Sequence, residues 1–345
     1  MYKKYPLSCT FATIMMLSRV PFNAHATELS ANAGEDITGS TNATYEKIKV
    51  TSTGIIHGRY LKVIGPLTQW EVPIKGDNGE AIIDENGKPV TIKYVREYGI
   101  GVEAIGPSSQ IYLEGTTIKR VTIGLDIKNS SKVIITNGTI NAGQNSDKEI
   151  AGIKVSNQSI VELNDVTIDV TNGLCAQITG GSMLNMAGGF INSFKSGISF
   201  VNSVRENNKL KNVIINAKEN GVMTDASTVT LKNVTIENAQ KGLYADNGSQ
   251  ITVSAGLFQG KNLGIYAGNG SNIVLKDDVT VLSTQNGIQA EKPKSIITMT
   301  GGTLSTTGSE PAAYAKSSGQ INLTDTVVNA SGNGLLADDQ EAKIT

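Results

Sequence analysis

The residues able to do bond-making chemistry are few and scattered. Asp277 and Asp278 are adjacent carboxylates, the residue type that divides general-acid and general-base work on a glycosidic bond. His57 is the one histidine beyond residues 1–26, and it lies far from that pair in sequence. A Ser-His-Asp arrangement needs a histidine beside a nucleophile, and no Gly-Asp-Ser-Gly segment is present to carry one. Cys175 has no neighbouring base that would hold it as a thiolate, so it reads as an inert small residue. Asp277-Asp278 falls where other parts of the chain place Asn-Asp or Lys-Asn turn residues, and Asp338-Asp339 is similar. No catalytic residue, cofactor or metal ligand is therefore expected.

The elements that would position any site repeat. Gly-apolar-x-apolar opens a unit at Gly101, Gly124, Gly152, Gly173, Gly197, Gly221, Gly242, Gly264 and Gly287, then with Ala312 in the glycine place, then at Gly334. The mean period is 23.3 residues. Within the units a second pattern, Ser-x-apolar-x-apolar, is headed by Ser109, Ser131, Ser159, Ser182, Ser227, Ser249, Ser271 and Ser295, with Gly319 and Glu206 heading weaker copies. An apolar residue recurs nine positions after most heads, as at Ile140, Ile215 and Ile236. The apolar spacing of two is the strand period. Asn, Asp and Gly fill the gaps and supply turn conformations. A fixed period in this range means stacked units, each too small to bury its own apolar face. Three short strands per unit predict an all-β fold, a right-handed parallel β-helix of the pectin-lyase-like superfold.

The outward side of the first strand is the one constellation with a functional bearing. The residue after Gly-apolar reads Glu103, Asp126, Lys154, Cys175, Ser199, Met223, Tyr244, Tyr266, Gln289, Tyr314, Leu336. Its first half is polar. Its second half holds an apolar strip of Met223, Tyr244, Tyr266, Tyr314 and Leu336, about 5 Å apart from coil to coil. Tyrosine joins flat apolar area to a polar tip, which suits protein or sugar contact. The strip is either such a contact surface or a self-stacking ladder that holds the coils.

Residues 1–26 read as a secretory signal peptide: Lys3 and Lys4, an apolar stretch from Leu7 to Leu17, then Ala24-His25-Ala26, with cleavage between Ala26 and Thr27. Its removal leaves 27 basic against 31 acidic side chains. That balance argues against nucleic acid as a partner. Residues 27–46 are small and polar and predict a flexible lead-in. Residues 47–100 predict an N-terminal cap, early coils and a hairpin excursion around Ala81 to Ile83, between Asp77-Asn78-Gly79 and Glu85-Asn86-Gly87. The regular helix is expected over 101–345.

A signal peptide followed by an Asn/Gly/Thr-rich repeat, such as Gly242-Leu-Tyr-Ala245 with Ser249-Gln-Ile-Thr-Val253, resembles the passenger domain of bacterial type V autotransporters. The resemblance implies an exported, cell-surface or secreted protein that contacts a host cell-surface protein or glycan as an adhesin or receptor-binding effector, without catalysis. It also implies a C-terminal β-barrel translocator. The sequence ends at Ala342-Lys343-Ile344-Thr345 inside a new coil, so that barrel is expected in a missing part. Without it the exported chain is expected to be periplasmic. The same fold hosts pectate lyases and polygalacturonases, so a polysaccharide lyase or hydrolase is the alternative, and a structural stalk or truncated fragment the third. Lyases of this fold use an Arg or Lys base beside Ca²⁺-binding acids. Arg59, Arg96, Arg120 and Arg205 lie in no Arg-x-Pro context.

Overall fold

The computed structural model describes residues 25–65, 67–73, 91–97, 99–143, 150–204 and 208–345. The three strand patterns each build one sheet of a parallel β-solenoid of about 12 turns with ~23 residues per turn. One coil shows the plan: Ile123–Lys128 lies in the first sheet, Lys132–Thr136 in the second and Thr139–Ala142 in the third. Each strand pairs in parallel with its counterparts one coil before and after. Val133 sits between Ile111 and Val161, and Leu125 between Val102 and Ile153.

Alternation sends every second side chain inward, where it stacks on the equivalent residue of the next coil. Ile236 lies between Ile215 and Phe258, and Val253 between Leu231 and Leu275; all six are fully buried. Each such side chain contributes about 1.5–3 kcal/mol by leaving water. The glycine that opens each unit has a steric cause. A Cβ at Gly221 would lie 2.2 Å from Ile236 Cγ2 and 2.6 Å from the Gly242 carbonyl oxygen of the next coil.

The corner between the first and second sheets is closed by the heading serines, which are buried. The Ser249 hydroxyl donates to the Asp246 carbonyl at 2.7 Å and accepts the Ser227 N–H at 3.2 Å. The same N–H to hydroxyl link joins Ser131 to Ser159, Ser159 to Ser182, Ser203 to Ser227 and Ser249 to Ser271. Backbone donors that leave the strand ladder at a dry corner are satisfied in this way. In the seventh coil Ser203 and Asn208 share this role: Asn208 donates to Ser203 and accepts the Leu184 N–H. The weak head Glu206 lies outside the described residues.

Three expectations change. The stretch 27–46 is not a flexible lead-in. His25–Ala31 and Asp36–Thr38 are strands paired with Thr44–Thr51 and Ile55–Arg59, and they form the first coil. Leu29 and Ala31 point inward over Ile48 and Val50, and two apolar residues were too short a period to read in a polar stretch. Among the described residues coiling therefore starts at residue 25, ahead of the early coils expected over 47–100. Second, the antiparallel ribbon Leu67–Pro73 with Thr91–Glu97 leaves the solenoid between the second and third coils, which agrees with the expected hairpin excursion and not with a cap over the end coil. Its tip, with Ala81 to Ile83, lies outside the described residues, as does the signal segment up to Ala24.

The third change concerns Cys175. It pairs opposite the glycine positions, because Ala176 is in register with Ile153 and Ile198. Cys175 thus replaces the opening glycine, and Gln177, not Cys175, occupies the outward column between Lys154 and Ser199. A shift of two residues preserves alternation, so the pattern Gly173-Leu-Cys-Ala could not reveal it.

Candidate contact surface

The first sheet carries the outward column, and its register is explicit. Ser199 pairs with Met223, Met223 with Tyr244, Tyr244 with Tyr266, Tyr266 with Gln289, Gln289 with Tyr314 and Tyr314 with Leu336. Met223, Tyr244, Tyr266, Tyr314 and Leu336 are all half-buried on that face. The strip falls into two blocks, because Gln289 separates Tyr266 from Tyr314.

The Tyr244 and Tyr266 rings stack with centroids 4.7 Å apart and planes 6° from parallel. The Lys241 ammonium sits over the Tyr244 ring at 4.5 Å. Tyr244 therefore presents its edge and hydroxyl outward rather than a free ring face. A second outward row follows two residues later: Asp225, Asp246, Gly268, Glu291, Lys316 and Asp338. The tyrosine hydroxyls reach this row. Tyr266 donates to Glu291 at 3.4 Å and Tyr314 to Asp338 at 2.7 Å. Gly268 makes room for this, since a Cβ there would lie 2.6 Å from the Tyr266 hydroxyl oxygen. Burial and the Asp246 charge push the Tyr244 phenol up. Burial and the Glu291 charge do the same to Tyr266. The hydrogen bond to Asp338 pushes Tyr314 to about 12. All three phenols stay protonated donors near neutral pH.

The earlier half of the column is a charge network. Glu103 is 7% exposed and meets Lys47 at 2.5 Å and Lys128 at 3.5 Å, while Lys128 also meets Asp126 at 2.9 Å. Ser199 is buried and bounds the strip on that side.

The remaining sequence candidates are dispersed. Asp277 and Asp278 are exposed residues within the strand Asn272–Ser283, where their left-handed backbone, φ of 59° and 61°, bends the chain at the corner, and Asp277 accepts the Ser254 hydroxyl. Asp339 accepts the backbone N–H groups of Ser318, Glu341 and Ala342. Cys175 is fully buried, its thiol is pushed up chiefly by burial, and it donates to the Asn192 carbonyl at 3.1 Å. His57 acquires partners that its sequence context did not show. It stacks on Tyr112 of the next coil, 4.9 Å between centroids, and its Nε2 lies 3.6 Å from Asp36 of the previous one. With Arg59, Glu114, Ile134 and Thr136 these rings line a shallow groove of about 360 Å³. Arg59 pairs with Glu114 at 2.9 Å. Only the strand alternation of Ile55–Arg59 hinted at this grouping. Among the described residues no group of three or more His, Cys, Asp or Glu could hold a metal ion.

The family described as right handed beta helix region matches residues 196–345, the part that holds the tyrosines. This stretch is a right-handed β-helix. No curated protein and no solved structure matches the chain. The fold is shared by pectin-lyase-like proteins and by adhesins, so the choice between them rests on side chains.

Proposed function

We propose that this chain is the passenger region of an exported bacterial protein that acts by surface contact rather than catalysis, with Met223, Tyr244 and Tyr266 at the centre of the contact. The observation that carries this reading is their register: three large side chains face outward on three consecutive coils, and the Tyr266 hydroxyl is held by Glu291. Apolar area grouped on a surface, with polar tips held in place, is the usual make-up of an interaction site. A host cell-surface protein or glycan is the partner that the resemblance to autotransporter passengers supplies, and surface display through a translocator barrel belongs to the same proposal.

The test is host-cell and glycan binding by Tyr244/Tyr266/Tyr314→Ser, with the melting temperature measured alongside. The expected outcome is a binding loss of tenfold or more, about 1.4 kcal/mol, with a folded protein. Unchanged binding in a folded variant excludes the strip as the contact. A large loss of stability makes the stack a ladder and the molecule a stalk.

The groove at His57 favours the second reading, a polysaccharide-active enzyme, because it sets an imidazole, a guanidinium, a phenol and a carboxylate on one concave face. Release of reducing ends or unsaturated products from polysaccharides by the wild type, abolished in His57→Ala, would establish it. No turnover on such substrates removes it.

A further inference from the structure

A second surface lies on the second sheet, and it is basic. Lys209 and Lys211 stand on Lys209–Lys211, the second-sheet strand of the seventh coil. Lys211 is in register with Lys232, Lys232 with Ser254, and Ser254 with Lys276. All four lysines are exposed. Coil spacing puts Lys211 and Lys232 about 5 Å apart at the backbone and Lys276 about 10 Å further on, with Lys209 about 7 Å along the strand from Lys211.

Four lysines on other outward columns are paired with acids of the same or a neighbouring strand. Lys47 meets Glu103, Lys128 meets Asp126, Lys132 meets Glu162 and Lys316 meets Glu291. The ammonium groups of the four lysines of this rail have no ion pair or hydrogen bond among the described residues. Like charges directly opposite in neighbouring strands are destabilising, so Lys211 facing Lys232 costs the fold and is relieved when an anion lies across both. Glu206, three residues before Lys209, lies outside the described residues. Asp277 and Asp278 follow Lys276 directly, and Asp277 is held by Ser254. The positive end of the rail is therefore Lys209, Lys211 and Lys232.

We propose that this face binds a sulfated or uronate-bearing polysaccharide lying along the coil axis. The partner must carry repeated anionic groups, because the ammonium groups recur with the coil. Beside the lysines the outward residues are Thr228, Thr230, Gln250, Thr252 and Asn272, which offer hydroxyl and amide groups to sugar hydroxyls. Val274 follows Thr252 in the same column and is the one apolar residue among them. None of these residues is a ring on which a nucleic-acid base would stack, the feature that single-strand binders use, and none is a Trp, Phe or Leu of the kind that enters a membrane interface.

The experiment measures binding of the full chain to immobilised heparin as the sulfated probe, over a salt series from about 50 to about 200 mM. Lys209/Lys211/Lys232→Gln is compared with Lys261/Lys292/Lys294→Gln, which removes the same charge from exposed lysines elsewhere. The expected result is a loss of about tenfold or more and a flatter salt dependence in the first variant, with binding retained in the second. The first variant should melt no lower than wild type, since it removes a repulsion. Equal loss in both variants, or loss in neither, overturns the proposal. So does competition by single-stranded DNA or phosphatidylglycerol vesicles that matches competition by heparin while desulfated heparin fails. The tyrosine variant separates this surface from the strip: it should keep heparin binding whatever becomes of the host-cell contact.

Discussion

At the scale of single residues, Glu103 and Cys175 show opposite outcomes of burial. Burial alone would raise the Glu103 carboxyl, but the Lys47 hydrogen bond and the charges of Lys47, Lys128 and Lys49 outweigh it and hold the group below its ordinary value. A depressed carboxylate stabilises the folded state above its unfolded pKa of about 4.3, and that contribution is lost as pH falls through the lower folded value. Glu103→Gln should cost about 1 kcal/mol at pH 7 in urea unfolding. The difference from wild type should shrink below pH 4 or so; a gap independent of pH would refute the charge network. Cys175 has no counter-charge to offset burial. It should resist a thiol reagent in the native protein and react at once in denaturant, so labelling reports unfolding of the sixth coil. Rapid native labelling would contradict its place at the glycine position.

At the scale of the element, the unit of stability is a column rather than a strand. Ser249 is one link in the serine column. Ser249→Ala removes the hydroxyl to Asp246 and leaves the Ser227 N–H without an acceptor in a dry corner. The expected cost is about 1–3 kcal/mol in denaturant unfolding; no measurable change would mean that water takes the site. Ile236→Asp tests an inward column. It places a carboxylate between Ile215 and Phe258 with nothing to pair it, which costs several kcal/mol. Soluble yield and β-sheet circular dichroism should both fall. Wild-type behaviour of this variant would be incompatible with an inward Ile236.

At the scale of the whole molecule, each coil touches only its neighbours, so stability is a sum of coil and interface terms. Export is the prediction that belongs here. Mass spectrometry of the exported protein should find Thr27 as its first residue, and a cytoplasmic product retaining Met1 would remove the export reading. Cleavage there removes His25 and Ala26 from the first strand, with their pairs to Thr44 and Tyr45, and keeps the pairs from Glu28 with Lys47 to Ala31 with Val50. The two proposed contacts lie on different sheets, one of tyrosine and carboxylate and one of lysine, so they do not compete for the same surface.

How much was legible follows from which residues are under periodic constraint. Inward positions must match the coil above and below, so their apolar types recur every 23 residues or so and declare the three strands, the glycine column and the serine corner from the sequence alone. Ile236 and Val253 could be placed inside on that basis. Outward positions obey no such rule. The tyrosines were visible because they fell in a counted column, yet their stacking, the Gln289 break and the hydroxyl bonds to Glu291 and Asp338 depend on coordinates. The same holds for His57 against Asp36 and Tyr112, and for the lysine rail, whose members meet only across coils. Cys175 and the first coil were misread for a related reason: alternation survives a two-residue shift, and two apolar residues make no period. Which residues go inside was determined by the sequence's own repetition. Which ones meet outside was decided by the stacking of coils, because those contacts join residues a full turn apart that no local pattern links.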